Sequence, residues 1–179
     1  MTIEPSDRHF PKVPIQRRVY AFAIDFVAVL IFTLPFGGAI PGVQFSQVLV
    51  FVVAWWLLRV VLVAKNQGQS LGRWALDMRA IDPKTGKTPG LLELSKREGI
   101  LGFCALLATI GLYIGFGNGV SLILLTAPLA ADCGAALIDE NQQALHDRLA
   151  RSLVVASRRG FSLDLRVKKL LAEVTRRVK

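Results

Sequence analysis

From Gly99 to Ala131 the chain carries no charged residue. A membrane crossing takes ~20–25 residues, so this run is too long for one helix and too apolar for a soluble surface. Gly115 to Gly119, "GFGNG", divides it, because Gly and Asn tolerate positive φ in a turn. The division predicts a third helix over about 100–116 and a fourth over about 120–138. Two earlier apolar runs, Val19 to Ile40 and Gln44 to Ala64, predict the first and second. The reading is an all-α membrane protein of four transmembrane helices. The first apolar run is long, contains Asp25 and lacks a small-x-small cleavage site, so it reads as a retained helix and not a cleaved signal.

Four crossings place both termini on one side, and the basic residues say which. The chain has 22 Lys+Arg against 13 Asp+Glu and a formal net charge of +9. With four crossings, every Lys and Arg except Arg59 falls on the same side, and the opposite loops, 36–44 and 115–119, carry none. By the positive-inside rule this gives N-in and C-in topology, in a cytoplasmic or internal membrane of prokaryotic type. Net basicity could also serve nucleic acid, but that class needs no long uncharged runs, so no nucleic-acid partner is expected. Cys104 and Cys133 form no CxxC pair and no disulfide framework; they read as small packing residues.

Three ionisable residues interrupt the predicted helices: Asp25, Arg59 and Asp132. At the helical rise, they lie ~9, ~8 and ~9 Å from the inner ends of their helices. Charges embedded at one depth usually face the bundle and pair. One reading is a structural ion-pair cluster with Arg59 between the two carboxylates. The other is a cation or proton site, helped by Pro128, which removes a backbone donor from the fourth helix. Gly111 and Gly115 form a GxxxG, a helix-packing pattern.

Two inner segments remain. "SLGRWALDM" reads as a short interfacial helix with Trp74 at headgroup level. "MRAIDPKTGK" reads as an extended piece and a turn, and "LVVAS" after the fourth helix as a second β-prone piece able to pair with it. Residues 158–179 form a separate segment after the membrane domain of 1–157. Leu163, Val167, Leu170, Leu171, Val174 and Val178 recur there at helical spacing among Lys and Arg, with Ser162 as N-cap. Such a basic amphipathic helix lies on anionic lipid or docks on a partner.

These residues resemble the RDD family of small integral membrane proteins, named for one arginine and two aspartates. The opening pattern R-x-x-A-x-x-x-D is matched by Arg18, Ala21 and Asp25. The middle pattern G-Q-[ST]-L-G-[KR] is matched by Gly68, Gln69, Ser70, Leu71, Gly72 and Arg73, followed by the strand-like Met78 to Asp82 and by Arg97 before the third helix. The closing L-H-D-x-L-A-G-T is matched from Leu145 through His146, Asp147, Arg148 and Ala150, with Arg151 and Ser152 in place of the usual Gly and Thr. The resemblance spans about 15–156. It implies the four-helix fold, with Arg18, Asp25 and Asp147 as the family's motif residues. It implies no single activity; some members look like cation/proton antiporters. From depth, an Arg18–Asp147 bridge would join the first and last helices, and Asp25 could meet Arg59.

No nucleophile, metal cluster or acid/base set accompanies His146 and Asp147, so no enzyme and no cofactor is expected. The functional expectation is an accessory, assembly or scaffold protein in the lipid bilayer. It would pack on a membrane-protein partner or on its own copies through the GxxxG face, with its basic tail on anionic lipid. The alternative is a small cation/proton antiporter acting through Asp25 and Asp132.

Overall fold

The computed structural model describes residues 13–37, 44–115, 119–139 and 142–157, together with 162, 163 and 165. Helix α1, Ile15–Thr33, follows Pro14 and ends in a 3-10 turn, Leu34–Phe36. The second rod comprises α2, Phe45–Trp56, a π-helical turn, Leu57–Val61, and α3, Leu62–Lys65. A short helix α4, Leu71–Ala75, and strand β1, Met78–Ile81, lead to α5, Leu91–Gly115. Helix α6, Gly119–Ile138, is followed by α7, Leu145–Leu149, and strand β2, Leu153–Ala156. Four of these stretches, Ile15–Phe36, Phe45–Lys65, Leu91–Ile114 and Gly119–Ile138, are long and apolar enough to cross a membrane.

The two β-prone pieces do pair. Strands β1 and β2 are antiparallel, with Met78 opposite Ala156 and Ile81 opposite Leu153. They cap one end of the bundle, hereafter the sheet end. Ala21 of α1 packs there with Leu76, Met78 and Val154. Deeper in the bundle, Val29, Phe51, Trp55, Leu101 and Ala105 join α1, α2 and α5. Helix α6 packs mainly on α5, and α1 on α2 and α4.

Three sequence expectations need correction. Helix α1 starts at Ile15, not Val19, so Arg17 and Arg18 lie on its first turn and Asp25 sits deeper than the sequence suggests. Helix α5 starts at Leu91, not near residue 100, and therefore contains Lys96, Arg97 and Glu98. Charge was a poor marker of the helix end here, because Arg97 and Glu98 are buried and paired. The GxxxG pattern also works within the chain: a Cβ on Gly111 would stand 3.0 Å from Leu125 Cβ of α6, so that glycine seats α6 on α5. Gly115 is the last residue of α5. The expected amphipathic helix over 158–179 lies, apart from 162, 163 and 165, outside the described residues.

Candidate functional site

An embedded carboxylate needs donors from its own protein, since hydrocarbon offers none. Asp25, on the face of α1 turned to α4, has three. Gly72 N donates to Oδ1 at 2.7 Å, Ser70 Oγ donates to Oδ2 at 2.6 Å, and Arg59 Nη1 also donates to Oδ2. The middle motif supplies two of them, and its other residues explain why it can. Gly68 has φ +84°, a left-handed conformation that suits glycine, and its carbonyl accepts from Ala80 N at 2.8 Å. Gln69 Nε2 donates to Met78 O at 3.0 Å, fixing β1. Ser70 caps α4 by accepting from Arg73 N. A Cβ on Gly72 would strike the Ala21 backbone, so only glycine lets α4 lie this close to α1. The motif is thus a clasp around Asp25.

Arg59 lies in the π-helical turn, a local widening often found where a helix places a functional group. Its Nη1 reaches Asp25, and its Nε donates to Glu98 Oε2 of α5 at 2.8 Å. Its guanidinium stacks 5.1 Å from the Trp55 ring and 5.9 Å from that of Phe22. Trp55 Nε1 in turn donates to Glu98 O at 2.9 Å, and Gly102 leaves room for that indole. Arg73 Nη2 donates to Glu98 Oε1 at 2.9 Å, so one carboxylate receives two guanidiniums.

A second centre lies alongside. Asp147 of α7 pairs with Arg97 Nη2 at 2.6 Å and with Arg18 Nη2. Burial alone would raise the carboxyl pKa of Asp147, but Arg97, His146 and Arg18 hold it well below the usual carboxylate range. Arg18 Nη1 also donates to Gln142 O. Asp132 of α6 accepts from His146 N at 2.9 Å and faces His146 Nδ1 at 2.5 Å, while His146 Nε2 stands 3.4 Å from Asp147. All four long apolar stretches therefore contribute a buried charge at the sheet end: Asp25 (with the partly buried Arg18), Arg59, Arg97 and Glu98, and Asp132.

The predicted residues fall into place unevenly. Arg59 joins Asp25, and Arg18 joins Asp147. Asp132 does not share Arg59; the carboxylate opposite Asp25 across that guanidinium is Glu98, and Asp132 holds the start of α7 through His146. Arg97 lies on α5, not before it. Arg148 points away from the network to a half-exposed pair with Asp139 at 2.6 Å. Glu98 was missed, although Leu94, Glu98, Leu101 and Ala105, all buried, follow one helical face that could have placed it. Among the described residues, no three His, Cys, Asp or Glu side chains group as metal ligands.

No curated protein and no solved structure matches the chain. Of the residues that build the two charge centres, Arg18, Asp25, Ser70, Gly72, Arg73, Arg97, His146 and Asp147 carried the family resemblance, and Arg59, Glu98 and Asp132 did not. The model of the RDD family matches residues 12–151, most of the chain and all of this network, and the protein belongs to the RDD family of membrane proteins.

Proposed function

We propose that this RDD-family protein is a non-enzymatic membrane accessory, assembly or scaffold component that packs on partner membrane proteins, with both termini cytosolic. The observation that carries the reading is the engagement of the embedded carboxylates. Asp25 accepts from Arg59, Ser70 and Gly72, and Asp132 accepts from the backbone N–H of His146 and is in contact with its ring. A carboxylate that couples cation and proton movement must exchange its partners, whereas here the partners are the protein's own and also lock helices together.

The half of the bundle away from the sheet supports the same reading. Its buried polar side chains close on nearby groups: Thr33 Oγ1 donates to Leu30 O at 2.7 Å, Thr109 Oγ1 to Ala105 O at 2.8 Å, and Gln47 Oε1 accepts from Gln44 N at 3.1 Å. Among the described residues, that half offers a cation no charged side chain. Helix α6 turns Val120, Ile123 and Leu124 outward, each about two-thirds exposed, which offers an apolar face to lipid or a partner helix. The one-sided distribution of Lys and Arg supports cytosolic termini and a basic tail on anionic lipid.

Purified protein in sealed vesicles should hold an imposed pH gradient when Na⁺, Li⁺ or K⁺ is added. Mild extraction from native membranes should co-purify another membrane protein in fixed ratio. A cation-dependent collapse of the gradient, abolished by Asp25→Asn or Asp132→Asn, overturns the scaffold reading in favour of antiport.

A further inference from the structure

Beside the charge network lies a cavity of about 160 Å³. Val19 and Phe22 of α1, Leu101 of α5, and Cys133 and Ala136 of α6 form its apolar wall. Its polar wall is Arg18, Arg59, Arg73 and Arg97, with Asp25 and His146. Four arginines thus line the space with a single acidic residue, Asp25, and both oxygens of that carboxylate already accept protein donors. Glu98, Asp132 and Asp147, which balance the arginines, do not line the space.

Arg73 and Arg97 are 4% and 2% exposed. Yet Arg73 Nη1, Arg97 Nε and Arg97 Nη1 make no hydrogen bond to the described residues. Arg97 Nε stands 3.9 Å from Glu98 Oε1, too far for one. Buried charged donors without acceptors are costly and rare in folded proteins. Here three of them belong to side chains that line one cavity.

We infer that this cavity binds a tetrahedral oxyanion of the phosphate class. Guanidinium N–H groups match phosphate oxygens in geometry and charge. A cavity of ~150 Å³ admits a ring the size of benzene, so the volume suffices. A cation would meet the free N–H groups of arginines, and a neutral ligand would leave their mutual repulsion untouched. Burial above all, and then Arg97 and Arg59, push the Arg73 pKa down to about 9, against the opposing pull of Glu98 and Asp25. Arg18 lies on the first turn of α1 and Ala136 near the end of α6, so the lining runs from the embedded Asp25 out toward the end of the bundle, within reach of a lipid headgroup. A phospholipid headgroup and free phosphate share the chemistry. The apolar wall and the half-exposed Val19 suit an acyl chain beside it.

The test uses the full-length protein, stripped of lipid, in phosphorus-free maltoside micelles and phosphate-free buffer. Phosphatidylglycerol is added to the micelles in one arm and inorganic phosphate to the buffer in the other. At least one addition should raise the thermal midpoint by several degrees; a response to lipid alone assigns the headgroup, and to phosphate alone the soluble anion. Cys133→Phe and Ala136→Phe fill the cavity without removing a charge, and either one, if folded, should lose the increment. Arg73→Lys keeps the charge but removes a free guanidinium N–H and should weaken binding at least tenfold. No increment in either arm overturns the proposal. So does an increment that survives in a folded cavity-filled variant and in Arg73→Lys, which would place the anion on the basic surface instead.

Discussion

Arg59 Nε donates to Glu98 Oε2 at 2.8 Å while Nη1 of the same guanidinium holds Asp25, so one side chain ties the second rod to both α1 and α5. The two carboxylates are unequal. Glu98 receives guanidiniums from Arg59 and Arg73, whereas Asp25 receives one guanidinium and two neutral donors. Removing one member of a buried ion pair costs ~3–5 kcal/mol, because the other charge stays buried without its partner.

Glu98→Gln should therefore lower the detergent melting temperature more than Asp25→Asn. The double variant Asp25→Asn with Arg59→Leu should recover only part of the single-variant losses, because Glu98 still lacks one of its two guanidiniums. Full additivity of the singles in that double variant would show that Asp25 and Arg59 are uncoupled, and a milder Glu98→Gln would remove Glu98 from the centre of the network.

The clasp around Asp25 makes a steric prediction. The Cβ of Gly72→Ala would enter the space of the Ala21 backbone, whereas around Gly99 of α5 nothing lies within 4 Å. Overpacking costs ~1–3 kcal/mol or more, while an exposed helical Gly→Ala gains ~0.5–1 kcal/mol. Gly72→Ala should melt well below wild type and Gly99→Ala at or above it. Adding Ala21→Gly should not rescue Gly72→Ala, since the obstacle is backbone; a rescue would mean that the Ala21 side chain sets the distance.

Much of this was legible in the residues. Apolar run length gave four helices, and the two β-prone pieces pair as their composition suggested. The depth of Asp25 and Arg59 anticipated their contact. Glu98 was not legible in the same way, because charges near a helix end read as the end itself. The helical face of Leu94, Leu101 and Ala105 could have marked Glu98 as inside, but its partners follow only from the long-range meeting of α5 with the π turn. Asp132 failed for a related reason: depth along an axis says nothing about azimuth, and α6 turns that carboxylate to α7, away from Arg59. The π turn itself has no signature in "LLRVV".

Arg151 stands where the family pattern has glycine, and its φ is +48°, in the left-handed region. This explains the family preference as one of backbone conformation. A left-handed non-glycine residue costs ~1–2 kcal/mol, and glycine's greater freedom in the unfolded chain offsets ~0.5–1 kcal/mol of any gain. Arg151→Gly should melt at or slightly above wild type, and Arg151→Val, β-branched, clearly below it. Equal melting of both variants would mean that this turn relaxes away from positive φ at no cost.

Asp147 supplies the pH dependence. Its folded pKa is depressed by Arg97, His146 and Arg18, against an unfolded value of ~3.9. A depressed carboxylate adds stability that is fully present above its unfolded pKa and is lost as pH falls toward the folded one. The difference in melting temperature between wild type and Asp147→Asn should accordingly stay constant from about pH 5 to 8 and shrink below about pH 4. Comparing the two proteins at each pH, both carrying His146→Gln, cancels contributions from elsewhere in the chain, the neighbouring imidazole included. A difference that already shrinks between pH 7 and 5 would mean that the carboxylate is not held ionised by its arginines, and the Arg18–Asp147–Arg97 junction between α1, α7 and α5 would lose its assigned part in stability.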